Sequence, residues 1–290
     1  LCQAMDAFFK AFGVGPVVFC NVLDPAKAAH KEALTTTSLT VANGQAKINE
    51  VGVIASSLVL KNGSTALVKD TDYTLEYDEE GKVIITVITS GVTTITVDSG
   101  DKLKPSGVTA SDVVGAINSS TGVYTGIQLV DKVYPQFSLT PSLLLAPGWS
   151  HIPAVGLALA EKCDGISGLF KAECVVDIDC TSSGATKYTD VAQKKLDSGF
   201  AQEHMICLWP QVKYAGKKMA FSAIYAAMAC YTDASNDNVP SVSPSNRAIR
   251  ISAAVLADGT EVTMNLEKAN YLNANGITTA MNFIGGFKVW

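Results

Sequence analysis

Four side chains lie where predicted strands end, a position at which α/β proteins often carry out chemistry. Asp177 and Asp179 follow the apolar run 174–176, and catalytic carboxylates often lie just beyond the carboxyl ends of strands. The simpler interpretation, which we favour, is that both aspartates cap the next turn. Trp149 and Trp209 each lie close to a proline, which favours packing at the rim of the sheet, with an aromatic ligand-binding shelf as the alternative.

The three histidines, His30, His151 and His204, are the other candidates for acid–base chemistry or metal binding. None lies on a predicted helix with a second ligand four residues away, which is the spacing of helical metal sites. We therefore interpret all three as structural residues. The sequence predicts no catalytic residue, no metal ligand and no cofactor-binding residue.

The sequence lacks the serine and glycine motifs of common enzyme classes. Gly165-Ile-Ser-Gly168 and Gly148-Trp-Ser-His151 do not have the spacing of a G-x-S-x-G nucleophile elbow. Gly13-Val-Gly15 lacks the third glycine of a dinucleotide-binding loop. Gly216-Lys-Lys218 lacks both the upstream glycine and the Ser or Thr of a phosphate-binding loop. We therefore predict that the protein is not an enzyme.

Composition and charge indicate a packed globular protein. Of the 290 residues, 48% are hydrophobic and 17% are charged, and the formal net charge is −5. The length allows about two domains. The absence of clustered Lys and Arg argues against nucleic acid as a partner. No apolar run reaches the roughly 18 residues needed to cross a bilayer, so we predict no membrane insertion.

The seven cysteines are an odd number without regular spacing, and several lie inside apolar runs such as 17–20 and 205–208. A disulfide framework normally has an even number of cysteines at characteristic spacings. We interpret the cysteines as buried free thiols of a reducing cytosol.

Hydrophobic patterning divides the chain into three parts. Residues 1–34 contain a predicted helix over 1–12 and a predicted buried strand over 17–23, the first elements of an α/β core. Residues 35–112 are rich in Thr, Val, Ser and Gly, with short alternating runs between turns that contain glycine or acidic residues. This pattern predicts a small antiparallel β-sandwich domain inserted into the core. Residues 113–290 form the remainder of the core.

The remainder of the core alternates between helical and strand-like segments. The predicted helices cover 108–117, 123–134, 152–163, 190–198 and 219–231, and the predicted strands cover 142–146, 174–178, 204–209 and 277–284. Strands that alternate with helices favour parallel pairing through right-handed crossovers. The predicted fold class is therefore α/β, with a mostly parallel sheet covered by helices.

Both ends of the sequence lead us to expect an internal fragment. Leu1 is not a methionine and already belongs to a helical pattern, and the last residues, 287–290, form an apolar strand-like run that ends on Trp290. We expect a core that is truncated at its C-terminus.

Several motifs, in their order and spacing, resemble those of the tail sheath proteins of contractile phages, prophages and phage-tail-like bacteriocins. The motifs are Phe8-Phe-Lys10, Leu23-Asp-Pro25, Asp70-Thr-Asp-Tyr73, Leu143-Leu-Leu-Ala-Pro-Gly148, Cys207-Leu-Trp-Pro210, Ala269-Asn-Tyr-Leu-Asn-Ala-Asn-Gly276 and Asn282-Phe-Ile-Gly-Gly-Phe-Lys-Val-Trp290. The resemblance covers nearly the whole chain.

The resemblance implies a structural protein with a subtilisin-like α/β core that lacks the protease's catalytic residues. It implies that the intact protein forms hexameric rings around a tail tube and contracts to drive the tube through a bacterial envelope, with other sheath subunits, the tail tube protein and the baseplate as its partners. Neighbouring subunits of the family are joined by terminal arms that add strands to one another's sheets, and we expect both arms to be missing here. The implied location is the virion tail sheath, assembled in the bacterial host cytoplasm. The residues of the assembly interface stay unassigned.

Two alternatives stay open. A subtilisin-like or other α/β hydrolase with an accessory β domain would need Ser150 or Ser167 within reach of a histidine and an aspartate. An extracellular adhesin would use the β domain as a binding module, although the unpatterned cysteines and the lack of a secretion signal count against this class.

Overall fold

The computed structural model describes residues 2–290, and its internal contacts divide the chain into two compact units. Unit 1 comprises the residues up to Cys20 together with Ala110–Trp290, and unit 2 is the continuous segment Asn21–Thr109. The start of the predicted first helix, at Leu1, lies outside the described residues.

Unit 2 consists of short antiparallel strands. They are β1 (Lys31–Ala33), β2 (Thr37–Thr40), β3 (Gln45–Val51), β4 (Val59–Asn62), β5 (Thr65–Ala66), β6 (Tyr73–Tyr77), β7 (Lys82–Val87), β8 (Thr94–Ser99) and β9 (Asp101–Leu103). One sheet has the order β2-β8-β4-β5, another has the order β3-β7-β6, and β1 pairs with β9. Alternate residues of β7 and β8, namely Val83, Ile85, Ile95 and Val97, are at most 2% exposed. They share one hydrophobic core because every second side chain of a strand faces the same side.

Unit 1 is built around one parallel sheet. Its strands, in spatial order, are β10 (Leu143–Leu145), β11 (Glu173–Asp177), β12 (Met205–Leu208) and β16 (Ile277–Thr278). The register aligns Leu145 with Val175 and Val175 with Ile206. These three side chains pack with the long helix Phe221–Ala234 in one core cluster.

The helices of unit 1 are short, apart from two. They are α1 (Cys2–Met5), continued by a π-helical segment over Asp6–Phe12, α2 (Ala110–Val114), α3 (Val133–Phe137), α4 (Pro153–Cys163), α5 (Val191–Asp197), α6 (Phe221–Ala234) and α7 (Leu266–Ala274). Both α4 and α6 contact β10 and β11. Gly276, with φ +66°, follows α7 in the left-handed conformation in which helices often end. Within the described part of the chain, no helix combines the length and the apolar character that a bilayer span requires.

The remaining strands of unit 1 form two antiparallel sheets. One sheet has the order β14 (Lys217–Met219), β13 (Gln211–Tyr214) and β15 (Ala253–Val255), and the other pairs β17 (Ala280–Asn282) with β18 (Phe287–Val289). The turns within these hairpins are short. Ala215 and Gly216, with φ +47° and +79°, turn β13 back onto β14.

The predicted fold class, a mostly parallel sheet covered by helices, is wrong. Among residues 2–290 only one sheet is parallel, and the small sheets that make up the rest of the fold are antiparallel. The subtilisin-like core implied by the resemblance is not supported either. The physical reason lies in the connections, because a tight turn can only join antiparallel strands, whereas a parallel pair needs a crossover of a dozen or more residues. The periodicity over 219–231 predicts one helix, but Met219 ends a hairpin strand and α6 begins at Phe221.

The predicted strand over 17–23 is also wrong. Gly13 ends the first helix with φ +69°, and residues 13–24 form neither helix nor strand. Val and Phe favour an extended backbone, but a strand also needs a partner edge. In the part of the chain that the structure describes, no backbone–backbone hydrogen bond involves residues 15–22.

Several longer periodic segments were predicted closely. The helix over 152–163 corresponds to α4, and the helix over 190–198 contains α5. The strands over 142–146 and 204–209 contain β10 and β12, and the strand over 174–178 overlaps β11 but is shifted by one residue. The helix over 123–134 is only partly confirmed, because a 3-10 helix over Gly126–Lys132 precedes α3.

Gly156, inside α4, provides a test of how tightly unit 1 is packed. A methyl group added at Gly156 would lie 2.6 Å from the Phe200 ring and 3.0 Å from the Ser150 carbonyl oxygen, and Phe200 is 1% exposed. We expect Gly156→Ala to lower the free energy of unfolding by about 1–3 kcal/mol, although alanine has the higher helix propensity, because the overpacked core must shift. Urea denaturation followed by circular dichroism measures the change.

Gly165→Ala is the matched control. No atom lies within 4 Å of a methyl group added there, so its effect should stay within about 0.5 kcal/mol. Equal effects of the two substitutions would contradict the packing described for α4.

Candidate functional site

A buried carboxylate joins three elements of unit 1. Asp177, the last residue of β11, accepts hydrogen bonds at Oδ2 from Ser222 Oγ at 2.6 Å and from Ser150 Oγ at 3.0 Å. Its Oδ1 accepts the backbone N–H of Ser222 at 2.9 Å. The backbone N–H of Asp177 donates in turn to Ser150 Oγ at 3.0 Å. We name Asp177, Ser150 and Ser222 the Asp177 cluster.

Each member reaches the cluster because an element begins or ends there. Ser150 lies in a turn before α4, in which its own N–H donates to the Ala146 carbonyl oxygen. Ser222 is the second residue of α6, and the first N–H groups of a helix have no acceptor within the helix. The Asp177 carboxyl accepts one of these N–H groups and faces the positive end of the helix dipole. The cluster therefore caps α6 from a neighbouring strand.

The environment of Asp177 raises the pKa of its carboxyl above the ordinary value. Asp177 is 8% exposed, and Ser150 and Ser222 are fully buried. Burial raises the pKa of Asp177, and the hydrogen bonds from Ser222 and Ser150 and the charge of His151 only partly oppose this rise. A raised pKa can mark a functional site, but buried structural networks also produce it.

The space beside the cluster is too small for a substrate. The adjacent cavity has a volume of about 50 Å³ and is lined by Asp177, Asp179 and His151, among others. Ligand pockets usually measure roughly 300–1,000 Å³, whereas this cavity has room for a few water molecules. The geometry of the cluster supports a structural role.

Asp179 has the capping role predicted from the sequence. Its Oδ1 accepts the backbone N–H of Thr181 at 2.9 Å, and Lys194 Nζ lies 3.6 Å from its Oδ2. Burial raises the pKa of Asp179, but the hydrogen bonds from Thr181 and the charges of Lys194 and His151 outweigh burial and lower the pKa overall. For Asp177 the predicted cap is wrong in its location. Asp177 caps the start of α6 and does not cap the turn that follows its own strand.

The two serines required by the hydrolase alternative are engaged elsewhere. Ser150 Oγ donates to Asp177, and Ser167 Oγ donates to the Asp131 carbonyl oxygen at 2.9 Å. A catalytic serine instead donates to a histidine that is in turn oriented by a carboxylate. In the Asp177 cluster a serine contacts the carboxylate directly, so the order of a catalytic triad is not present there.

The histidines lie in separate environments. His30 in unit 2 is 1% exposed, and its Nδ1 accepts the backbone N–H of Asp24 at 3.0 Å. His151 in unit 1 borders the small cavity, and His204 precedes β12, where its carbonyl oxygen accepts the N–H of Cys174. Among the side chains that the structure describes, no three His, Cys, Asp or Glu residues are grouped so that they could hold a metal ion.

Trp209 and Trp149 differ in how deeply they are buried. Trp209 is fully buried, and its Nε1 donates to the Ala185 carbonyl oxygen at 2.9 Å, which satisfies the polar atom of a large apolar side chain. Trp149 is half-buried. The burial of Trp209 excludes it from an accessible ligand-binding shelf.

Three cysteines lie together in unit 1. Cys174 on β11 and Cys207 on β12 project from the same face of the parallel sheet, because Cys207 is aligned with Val176, two residues after Cys174. Cys163 ends α4, and all three are at most 3% exposed. A hydrogen bond with the Cys163 thiol and burial raise the pKa of Cys174, and burial raises the pKa of Cys207 to about 11. The Cys174 and Cys207 thiols are therefore protonated and unreactive near neutral pH.

Ser222 is the cluster residue that sequence reasoning missed. A serine in the first turn of an alanine-rich helix is a weak signal, because first-turn serines are common at exposed helix starts. Its buried partner lies 45 positions earlier in the chain. Only the packing of α6 against β11 reveals the pair.

The raised pKa of Asp177 predicts a pH dependence of stability. As the pH rises above the ordinary value of 3.8, the unfolded carboxyl loses its proton first while the folded carboxyl retains it, so the free energy of unfolding falls. The slope is at most about 1.4 kcal/mol per pH unit, until the folded group also ionises. Asp177→Asn is expected to remove this contribution, because the amide keeps the shape and remains neutral.

Urea denaturation of both proteins between pH 4 and pH 6 measures the difference in slope. The other acidic groups of the chain are common to both proteins and serve as the internal control. Identical slopes would mean that folding does not raise the pKa of Asp177.

The burial of the thiols predicts a pattern of alkylation. Cys20 is exposed, whereas Cys163, Cys174, Cys180 and Cys207 are buried. We expect iodoacetamide to modify Cys20 of the folded protein at least about tenfold faster than the four buried thiols, because only an accessible thiolate reacts. Peptide mass spectrometry gives the rate at each position. The denatured protein is the control, in which all should react, and a thiol that stays blocked after denaturation would contradict the free state.

Comparison with known proteins identifies relatives of the chain. No protein-family model matches it. The chain is 30% identical over 167 residues to the tail sheath protein of Burkholderia phage BcepMu, which covers 54% of this chain and 33% of that protein. It is 28% identical over 191 residues to a putative prophage major tail sheath protein of Pseudomonas aeruginosa strain UCBPP-PA14, which covers 62% of this chain and 45% of that protein.

A solved structure gives a weaker match. The cryo-EM structure of the anti-feeding prophage baseplate contains a chain that is 18% identical, with a TM-score of 0.38, over 60% of this chain and 42% of that chain. This likeness is too low to carry an argument. The two sequence relatives confirm the resemblance predicted from the motifs: the chain, which spans less than half of the length of either, is similar to phage and prophage tail sheath proteins.

Proposed function

We propose that this chain is part of a structural subunit of a contractile tail sheath. The subunit polymerises as hexameric rings around a tail tube and contracts to drive the tube through a bacterial envelope. The observation that carries this proposal is the similarity to two tail sheath proteins over 54% and 62% of the chain. Both relatives bear the name of the same structural component.

The contacts of the candidate residues support a structural role and not a catalytic one. The Asp177 cluster is buried and internally hydrogen-bonded, and Ser150 and Ser167 donate to a carboxylate and a carbonyl. Such groups stabilise a fold but leave no free nucleophile for catalysis. The hydrolase and adhesin alternatives are not favoured, because the relatives are named as tail components and not as enzymes or adhesins.

The proposed partners are other copies of the subunit, the tail tube protein and the baseplate. The proposed location is the virion tail, after assembly in the bacterial host cytoplasm. The free buried thiols support assembly in a reducing compartment, where structural disulfides rarely form.

Contraction in this proposal uses no nucleotide. The energy comes from an extended lattice that is less stable than the contracted one. Each 1.4 kcal/mol of preference per subunit changes the equilibrium by about tenfold, so a few kcal/mol for each of many coupled subunits is sufficient.

The composition of tail particles tests the proposal. Particles should be purified from a lysate of cells that carry this gene, and the peptides of this chain quantified by mass spectrometry. We expect it among the most abundant particle proteins, because a sheath contains many copies, and we expect antibodies against it to label the tail along its length in negative-stain micrographs. An unrelated cytoplasmic protein of similar abundance is the control for contamination. Particles that lack the chain, or labelling at one end only, would overturn the proposal.

A further inference from the structure

A cavity of about 370 Å³ in unit 1 separates an extended segment from the edge of the parallel sheet. One wall contains residues 15–18 and Cys20, and the other contains residues 139–145, including β10. We name this cavity the β10 groove. It lies away from the Asp177 cluster, since the two cavities share no lining residue.

The backbone on both sides of the groove lacks strand partners. Among the strands of residues 2–290, β10 is the outermost of its sheet and has β11 as its one partner. On the opposite wall, none of the described backbone–backbone hydrogen bonds involves residues 15–22. Backbone N–H and C=O groups in a largely apolar setting favour states in which they are paired. The groove therefore brings together two runs of unpaired backbone groups.

The side chains of the segment already follow the pattern of a strand. Val17 and Phe19 are half-buried, whereas Val18 and Cys20 are exposed, which is the alternation of period two expected for a strand with one buried face. Val17 packs against the same core cluster as Leu143 and Leu145 of β10. The segment and β10 thus present side chains to one common core.

We propose that residues 17–20 close onto the free edge of β10 and extend the sheet by one strand, so that unit 1 exchanges between an open groove and a closed sheet. Closure pairs backbone groups that are unpaired in the open form. It also removes the cavity and covers part of Val18, which is 38% exposed.

We assign residues 17–20 of the same chain as the occupant of the β10 groove because they already lie beside it. Residues 15–20 line the same cavity as β10, so their effective concentration at the edge exceeds that of any strand from another molecule. This inference does not depend on the proposed function, and the two can fail separately.

Hydrogen exchange measured by mass spectrometry tests the closure. In a permanently open groove the amides of residues 17–20 would exchange at the rate of an unfolded chain. We expect them to exchange at least about tenfold more slowly, and equally so across a wide range of protein concentration. Exchange at the unfolded rate would overturn the proposal. Protection that increases with protein concentration would also overturn it, because a strand from a second copy would then be the occupant.

A proline substitution assigns the protection to strand pairing. Val18→Pro removes one N–H from the segment and is poorly tolerated in a paired strand. We expect it to return residues 17–20 to the unfolded exchange rate while β11 and β12 stay protected. Glu203→Pro, at an exposed loop residue whose N–H has no backbone acceptor among the described residues, is the matched control and should leave the protection unchanged. Retained protection in Val18→Pro would overturn the proposal, and if that variant fails to fold, the unsubstituted chain decides the question.

Discussion

The hydrogen bonds of one buried carboxyl connect the parts of unit 1. Asp177 ends β11, which lies between β10 and β12 in the parallel sheet. Ser150 holds the turn that leads into α4, and Ser222 lies in the first turn of α6, so a single side chain positions the two long helices relative to the strand that both contact. Loss of one partner would leave a buried polar group unsatisfied, which costs about 1–3 kcal/mol. The network is therefore more sensitive to disruption than its individual bonds suggest.

A cluster of this kind resembles an active site in its residue types but differs from one in its connections. Its serine hydroxyls donate to the carboxyl, the carboxyl accepts a helix N–H group, and the neighbouring cavity has a volume of only about 50 Å³. The polar groups satisfy one another and leave none directed at a ligand. This internal satisfaction agrees with the proposed structural role, which needs no chemistry at the cluster.

Sequence predictions that rest on neighbouring residues were accurate, whereas those that depend on contacts between distant parts of the chain were not. Helix α4 and strand β11 are specified by periodic or continuous apolar runs of their own residues. The hairpin between β13 and β14 was missed because its strands contain three lysines and no continuous apolar run, whereas the equally short β10 and β12 are apolar runs. The partner of Asp177 was missed because it lies 45 residues away, and no local pattern encodes such a contact. The prediction of a strand over 17–23 was wrong for a related reason. β propensity describes a single segment of the chain, whereas a strand also needs a second segment to pair with.

The pairing of β1 with β9 places the entry and the exit of unit 2 side by side. Lys31 is directly opposite Leu103, and paired strands lie about 4.8 Å apart. Everything between these two positions could therefore be replaced by a chain of different length without stretching the connections at its base. In genetic terms, unit 2 is arranged as an exchangeable cassette, which can vary in sequence and size while the reading frame and the fold on either side continue unchanged.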